Sequence, residues 1–241
     1  GVSYAPSCQL LQQIQKRERP NFESIFAIQN PTNDLAYTKL EVDNILNFFS
    51  SHQVLSDKQA SKDALFAEMP KLKQANYLHF SCHGSFNVNS PQDSCLLLAE
   101  SKDENHDLDL NKCLTLGNLF EQNFQLDNCR LVVLSACETG LIDSNNTSDE
   151  YIGLPSGFLY AGSTSVVSSL WTVNDVSTAF LMIKFLQNLQ TAIIHGEDFS
   201  VAVSLSQAQK WLRNSTKTQL EDWIGEHKLN FDSTLRNQLR R

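Results

Sequence analysis

Four short apolar runs, separated by segments with helical periodicity, restrict the folds open to this chain more than any other feature of its sequence. The runs lie at residues 24–28, 77–82, 131–134 and 165–170, and their apolar residues are nearly continuous instead of alternating with polar ones. Strands of this composition are typical of a parallel sheet that is buried on both faces. The sequence therefore predicts an α/β fold, in which a mostly parallel central sheet carries helices on both faces.

The segments between these runs place apolar residues at the spacing of an amphipathic α-helix. Helical patterns occupy residues 38–50, 61–69 and 153–161, and two further helices begin near residues 176 and 201. Along the whole chain we expect a helix-prone, polar lead-in at residues 1–21, a main domain at residues 22–215 and a C-terminal segment of uncertain packing at residues 216–241.

Charge and composition argue against several classes of function. A formal net charge of −8 disfavours a general nucleic-acid interface. No run approaches the roughly 20 consecutive apolar residues that span a bilayer, and the first residues lack the pattern of a secretory signal. The six cysteines form no Cys-x-x-Cys pair, and Cys82, Cys95 and Cys129 lie where buried thiols are expected. These features predict a cytoplasmic protein without membrane contact, bound metal or other cofactor.

Two of the apolar runs end in residues that carry chemistry. The run at residues 77–82 leads into His83 and Gly84, and the run at residues 131–134 leads to Cys137. Reactive groups of open parallel sheets gather at the carboxyl ends of strands, so neighbouring strands would place the imidazole and the thiol at one edge. The imidazole can then take the thiol proton and leave a nucleophilic thiolate.

Attack of such a thiolate on an amide carbonyl creates an oxyanion that needs fixed hydrogen-bond donors. Gly84 has no side chain to obstruct its own N–H group, and the N–H group of Cys137 is the natural second donor. His83 as general base and Cys137 as nucleophile therefore describe a metal-independent acyl transfer. We interpret His79, on the same strand as the general base, as a structural residue.

Three motifs, taken in their order along the chain, resemble the CHAT branch of the caspase-like cysteine peptidases, which is related to separase. They are Tyr-Leu-His-Phe-Ser-Cys-His-Gly at residues 77–84, Ser-Ala-Cys-Glu-Thr-Gly at residues 135–140 and Val-Val-Ser-Ser-Leu-Trp-Thr-Val-Asn-Asp at residues 166–175. The resemblance extends from about residue 22 to residue 213 and is to bacterial members of cyanobacterial type. It implies a caspase-like (caspase–haemoglobinase) sandwich, with His83 and Cys137 as the catalytic dyad of a cysteine endopeptidase.

The same resemblance implies where the side chain before the cleaved bond (P1) would bind. Asp175 occupies a place comparable with the acidic pocket residue of the separase-like branch, which would pair with a basic side chain. Trp171 and Ser135 complete the residues assigned to this pocket. Other roles stay open, because Asn174 or Asp175 could cap the following helix and Trp171 could pack in the core. The residues before Cys137 also depart from the Gln-Ala-Cys pattern of caspases, so cleavage after Asp is not implied.

The expected substrate is a protein or peptide, and the resemblance implies control by a helical-repeat region of TPR type or by a regulatory partner protein. Two other interpretations stay open. A catalytically latent signalling or scaffold module could use the peptidase fold for protein binding alone. A thiol hydrolase or acyltransferase that is not a peptidase could use the same dyad. The presence of His83, Gly84 and Cys137 together favours the peptidase.

Overall fold

The computed structural model describes residues 4–18, 21–103, 105, 107–135, 152–170, 173–195, 200–227 and 229. These residues fall into two compact units. The sheet unit consists of the described residues within Ser3–Ala36 and Phe49–Val173, and the helical unit of those within Tyr37–Phe48 and Asn174–Arg241. None of the described helices is long and apolar enough to cross a membrane.

Short helices and strands alternate along the first two thirds of the described chain, and longer helices follow. The strands are β1 (Ser24–Gln29), β2 (Ser51–Ser56), β3 (Tyr77–Ser81), β4 (Gly84–Ser85), β5 (Cys95–Leu96), β6 (Leu114–Thr115), β7 (Leu131–Ser135) and β8 (Val166–Ser168). The α-helices are α1 (Cys8–Lys16), α2 (Thr38–Leu46), α3 (Lys62–Ala67), α4 (Met69–Gln74), α5 (Leu116–Leu119), α6 (Leu154–Ala161), α7 (Asp175–Ile194), α8 (Val201–Asn214) and α9 (Lys217–Glu226).

In the part of the chain that the structure describes, the main sheet contains five strands in the order β2-β1-β3-β7-β8. Every neighbouring pair in it is parallel, which confirms the predicted α/β class. Within this sheet, β2 lies on one side of β1, and β3, β7 and β8 lie on the other side, so the strand order reverses between β1 and β3. In open α/β sheets such a reversal leaves a crevice at the carboxyl ends of the two strands, where ligands bind.

Both faces of the main sheet are buried, as the continuous apolar runs predicted. Side chains on one face alternate along three strands, are at most 2% exposed and belong to one core: Phe26, Ile28, Leu78, Phe80, Val132 and Leu134. The rings of Phe124 and Phe158 join this core. On the other face, Tyr77 is fully buried and stacks on Phe49, with ring centroids 5.2 Å apart.

Two strand regions of the sheet unit were not predicted from the sequence. β2 has the polar sequence Ser-His-Gln-Val-Leu-Ser, yet it pairs along its whole length with β1 at the sheet edge. An edge strand needs few buried side chains, and here only Leu55 is fully inside. The antiparallel sheet β4-β5-β6 is built from two-residue strands, which are too short to show a period.

Among the described residues, the helical unit contains α2 and the helices α7, α8 and α9. Its last helix, α9, was not predicted, because it is short and mostly polar. Thr216 begins α9 with a capping box that includes Gln219. Trp223 anchors the helix: its ring centroid lies 4.7 Å from that of Trp211 on α8 and 6.0 Å from that of Phe180 on α7. Trp223 and the adjacent Ile224, both buried, therefore supply the packing that the sequence pattern did not reveal.

Candidate active site

The carboxyl ends of β3 and β7 lie side by side in the main sheet. The two strands are parallel, and their last residues, Ser81 and Ser135, are opposite each other. His83 follows two positions after Ser81, and Cys137 follows two positions after Ser135. The dyad prediction depended on these strands being neighbours, and that condition is confirmed. Cys137 itself lies outside the described residues.

The imidazole of His83 has a carboxylate partner that the sequence analysis did not name. The Nε2 atom of His83 lies 2.9 Å from Oδ1 of Asp34. Asp34 lies on the loop that follows β1, and His83 follows β3, so the pair spans the switch point between these two strands. The side chains are 32% and 50% exposed, respectively, so the pair is open to solvent and to a substrate.

The loop that carries Asp34 is fixed by hydrogen bonds to its own first residue. Asn30 has a φ of 47°, a left-handed conformation that asparagine tolerates better than most residues. Its N–H group donates to the carbonyl oxygen of Ser81 at 2.9 Å, which joins the loop to the end of β3. Its side-chain oxygen accepts from the N–H groups of Asp34 (3.1 Å) and Leu35 (3.0 Å). The hydroxyl of Thr32 donates to the Asp34 carboxylate.

The surroundings of Asp34 favour its charged form. Partial burial alone would raise the pKa of this carboxyl group. The hydrogen bond from Thr32, the charge and hydrogen bond of His83, and the charge of Lys102 together outweigh that effect and hold the pKa of Asp34 below its usual value. Asp34 is therefore ionised at neutral pH and can only accept hydrogen bonds.

Gly84 lies where a backbone donor can face away from its own sheet. Its partner across the antiparallel ladder of β4 and β5 is Leu96. The preceding pair is hydrogen-bonded, because the N–H group of Leu97 donates to the carbonyl oxygen of His83 at 2.9 Å. Hydrogen-bonded and non-hydrogen-bonded pairs alternate in such a ladder. The Gly84 N–H group therefore points away from β5, as an oxyanion donor must.

The structure also agrees with the residues interpreted as structural. His79 is fully buried, and its Nδ1 atom lies 3.0 Å from the hydroxyl oxygen of Tyr77. Cys82, Cys95 and Cys129 are at most 2% exposed. Burial raises the pKa of the Cys129 thiol to about 12, so this group stays protonated and unreactive at neutral pH. No group of three or more potential metal ligands occurs among the described residues.

The predicted P1 pocket is described only in part. Ser135 is the half-buried last residue of β7. Asn174, not Asp175, caps α7, because its side-chain oxygen accepts from the N–H group of Ser177 at 3.3 Å. Asp175 is the exposed first residue of that helix and is not needed as its cap. Trp171 lies outside the described residues, and the assignment of all three residues to a pocket stays a prediction.

Asp34 is the residue that sequence reasoning missed. Residues 30–34 read Asn-Pro-Thr-Asn-Asp and follow the buried strand β1 directly. The Asn-Pro pair at residues 30–31 is a turn signal that closes the strand. A polar run at the carboxyl end of a buried parallel strand is also a candidate position for site residues. That rule, applied to every strand instead of two, would have marked Asp34.

Comparisons with known proteins agree with the fold and the motifs. A family model described as the CHAT domain matches residues 1–235. The fold is similar to the crystal structure of the Arg-specific cysteine proteinase gingipain R (RgpB), with a TM-score of 0.55 at 8% sequence identity. The match covers 85% of this chain but only 46% of the gingipain chain. No curated protein matches the sequence.

Proposed function

Since the chain belongs to the CHAT family, within a superfamily of cysteine-peptidase type, we propose that it is a cysteine endopeptidase acting through His83 and Cys137. The fold and the family agree with the resemblance seen in the three sequence motifs. The likeness to gingipain R supports the fold alone, because the two sequences are only 8% identical. The assignment of a reaction to this chain is therefore argued from its own residues.

The observation that carries the proposal is the pairing of Ser81 with Ser135 in parallel strands. This register aligns the segments that lead to His83 and Cys137, each two residues farther along the chain. A general base and a nucleophile must come within hydrogen-bonding distance of each other in the reactive complex, and side chains that follow adjacent strand ends can do so.

The proposed reaction is hydrolysis of a peptide bond in two steps. His83 accepts the thiol proton of Cys137, and the thiolate attacks the carbonyl carbon to form a C–S bond. The C–N bond then breaks, and the leaving amine takes the proton from the imidazolium. Water, deprotonated by the same imidazole, hydrolyses the thioester, releases the carboxylic acid and restores the thiol. The N–H groups of Gly84 and Cys137 would stabilise the oxyanion formed in each step.

A basic P1 residue is the proposed substrate preference. The assignment rests on the similarity of residues 166–175 to the separase-like branch and on the exposed position of Asp175 at the start of α7. An ionised carboxylate pairs well with arginine, because the guanidinium group offers two parallel donors. Trp171 and Ser135 would form the walls of the P1 pocket.

We also propose that the chain acts in the cytoplasm under the control of a TPR-type helical-repeat region or a regulatory partner protein. This part of the proposal rests on the resemblance to CHAT proteins.

The test is cleavage of a fluorogenic peptide library that varies the P1 residue. Wild-type chain is compared with Cys137→Ala and His83→Ala, and Cys8→Ala serves as a matched control, because Cys8 is an exposed thiol on α1. Both dyad variants should lose about a thousandfold or more in kcat/KM, whereas the control should keep full activity. Cleavage should be fastest after arginine or lysine.

A second measurement distinguishes a chain without a reactive Cys137 from an assay that lacks a suitable peptide substrate. A peptide chloromethyl ketone with arginine at P1 should alkylate Cys137 much faster than Cys8, and His83→Ala should remove that difference. If no peptide is cleaved and Cys137 reacts no faster than Cys8, the peptidase proposal is wrong. The alternative of a catalytically latent binding or scaffold module would then be favoured. Transfer of acyl groups without peptide cleavage would instead favour a thiol acyltransferase.

A further inference from the structure

We propose that Asp34 is a positioning residue, which holds the neutral imidazole of His83 in its Nε2–H form and so makes Nδ1 the nitrogen that receives the thiol proton. The inference deepens the proposed function and rests on it for the identity of the proton donor. The hydrogen bond and its effect on the imidazole are properties of the folded chain, and they can be measured whether or not a peptide is cleaved.

The direction of the hydrogen bond between His83 and Asp34 shows which imidazole nitrogen carries the proton. Nε2 of His83 lies 2.9 Å from Oδ1 of Asp34, which is the normal length of a bond from nitrogen to a carboxylate. An ionised carboxylate has no proton to donate, so Nε2 must carry the hydrogen. In neutral imidazole only one nitrogen is protonated. Nδ1 is therefore the free base.

The carboxylate itself is held in place by its surroundings. Asp34 takes part in three hydrogen bonds. Its N–H group donates to the side-chain oxygen of Asn30, and its Oδ1 atom accepts from the hydroxyl of Thr32 and from Nε2 of His83. Asn30 also binds the carbonyl oxygen of Ser81, the last residue of the strand that leads to His83. The carboxylate and the imidazole are thus tied to the same strand end. A surface carboxylate that contacted the histidine by chance would not require these hydrogen bonds.

The carboxylate also matches the charge that develops during the reaction. When His83 accepts the thiol proton it becomes an imidazolium, and a carboxylate at hydrogen-bonding distance stabilises that cation. Among the described residues, the charged groups that act on Asp34 are His83 and Lys102. Lys102, which belongs to the bridge with Leu108, makes a smaller contribution than His83 to lowering the pKa of Asp34. Since both side chains of the pair are partly exposed, solvent screens the interaction, and a moderate effect on rate is expected.

The tautomer is tested by NMR of the chain labelled with ¹⁵N in its histidine side chains, at a pH where the imidazole is neutral. His83→Gln identifies the signals of His83. We expect the wild-type chain to show a protonated Nε2 and an unprotonated Nδ1. Asp34→Asn should give a mixture of both tautomers, because an amide oxygen and an amide nitrogen can satisfy either form. A wild-type His83 protonated at Nδ1 would overturn the proposal, and so would an unchanged tautomer in Asp34→Asn.

The kinetic test compares four forms of the chain on the best peptide substrate. Asp34→Asn should lower kcat by about 10- to 100-fold with KM changed less than about threefold, and Asp34→Glu should restore part of the loss. Glu23→Gln is the matched control: Glu23 is an exposed carboxylate at the amino end of β1, and the strand separates it from Asp34 by about 20 Å.

The two tests fail in different ways, so their outcomes can be told apart. An inactive wild-type chain with the predicted tautomer would contradict the proposed function and leave the Asp34–His83 relationship supported. An active chain in which Asp34→Asn keeps its kcat would contradict the positioning role alone. Equal losses in Asp34→Asn and in Glu23→Gln would show a general charge effect and would also overturn the inference.

Discussion

Ser81 and Ser135 are opposite each other as the last residues of two neighbouring parallel strands. Because of this register, His83 and the segment leading to Cys137 leave the sheet at the same edge. In the proposed mechanism these strand ends lead to the general base and the nucleophile, and the loop after β1 carries the carboxylate that positions the general base. Sites built in this way are more precise than sites carried by long loops alone.

The side chain of Asn30 should contribute to both stability and activity, because it holds the loop that carries Asp34. Asn30→Ala removes two hydrogen bonds to the loop that carries Asp34 and places alanine in a left-handed conformation. We expect the free energy of unfolding to fall by about 1–3 kcal/mol and kcat to fall about tenfold. Urea unfolding and peptide cleavage measure the two effects.

Two further substitutions at Asn30 separate its backbone role from its side-chain role. Asn30→Gly accepts the same φ but lacks the acceptor, whereas Asn30→Asp keeps the acceptor. Activity should follow the acceptor, so the aspartate variant should be the more active of the two. The reverse order would contradict a role for the Asn30 side chain in holding Asp34.

The contribution of Asp34 to stability should disappear in acid. Its folded-state pKa lies below the unfolded value of about 3.9, so its stabilising effect is fully present above that pH and is lost as the pH falls through the folded-state pKa. Since the carboxylate is half exposed, the effect at neutral pH should be no more than about 1 kcal/mol. Urea unfolding of wild type and Asp34→Asn between pH 3 and 7 should show the two curves converging below about pH 4. A gap that widens in acid would have the wrong sign.

Asp175 and Asn174 should affect different properties of the chain. Asn174→Ala removes the cap of α7 and should lower the free energy of unfolding by about 1 kcal/mol without changing P1 preference. Asp175→Ala should change stability by less than about 0.5 kcal/mol, yet lower kcat/KM for an arginine substrate about tenfold or more relative to a leucine substrate. Unchanged selectivity in Asp175→Ala would remove this residue from the proposed pocket.

Cys129 and Cys8 should differ sharply in alkylation, which bears on every thiol-labelling experiment with this chain. The pKa of Cys129 is raised to about 12 by burial, and the side chain is 1% exposed, whereas Cys8 is exposed on α1. Iodoacetamide at neutral pH should therefore modify Cys8 in the native chain and Cys129 only after unfolding in urea. Peptide mapping by mass spectrometry measures both. Rapid native labelling of Cys129 would show that its surroundings open readily.

The sequence by itself determined the class of fold and the positions where chemistry is expected. Continuous apolar runs predict buried parallel strands because side chains on both faces must then leave water, and this property is local to each strand. The same runs predicted His83 just after one strand, which the structure confirms, and Cys137 just after another strand. Helix α9 and the edge strand β2 escaped prediction because a few contacts made in the folded chain stabilise them, such as those of Trp223 and the ladder to β1.

Only the tertiary structure decided which strands are neighbours and which carboxylate faces His83. Strand order depends on packing between segments far apart in the chain, and no local pattern encodes it. Asp34 lies 49 positions before His83, and the two meet because β1 and β3 pair in parallel and Asn30 bends the loop toward the end of β3. Burial and periodicity can be predicted from the local sequence. The hydrogen bond between Asp34 and His83 forms only once β1 and β3 have paired in the folded sheet.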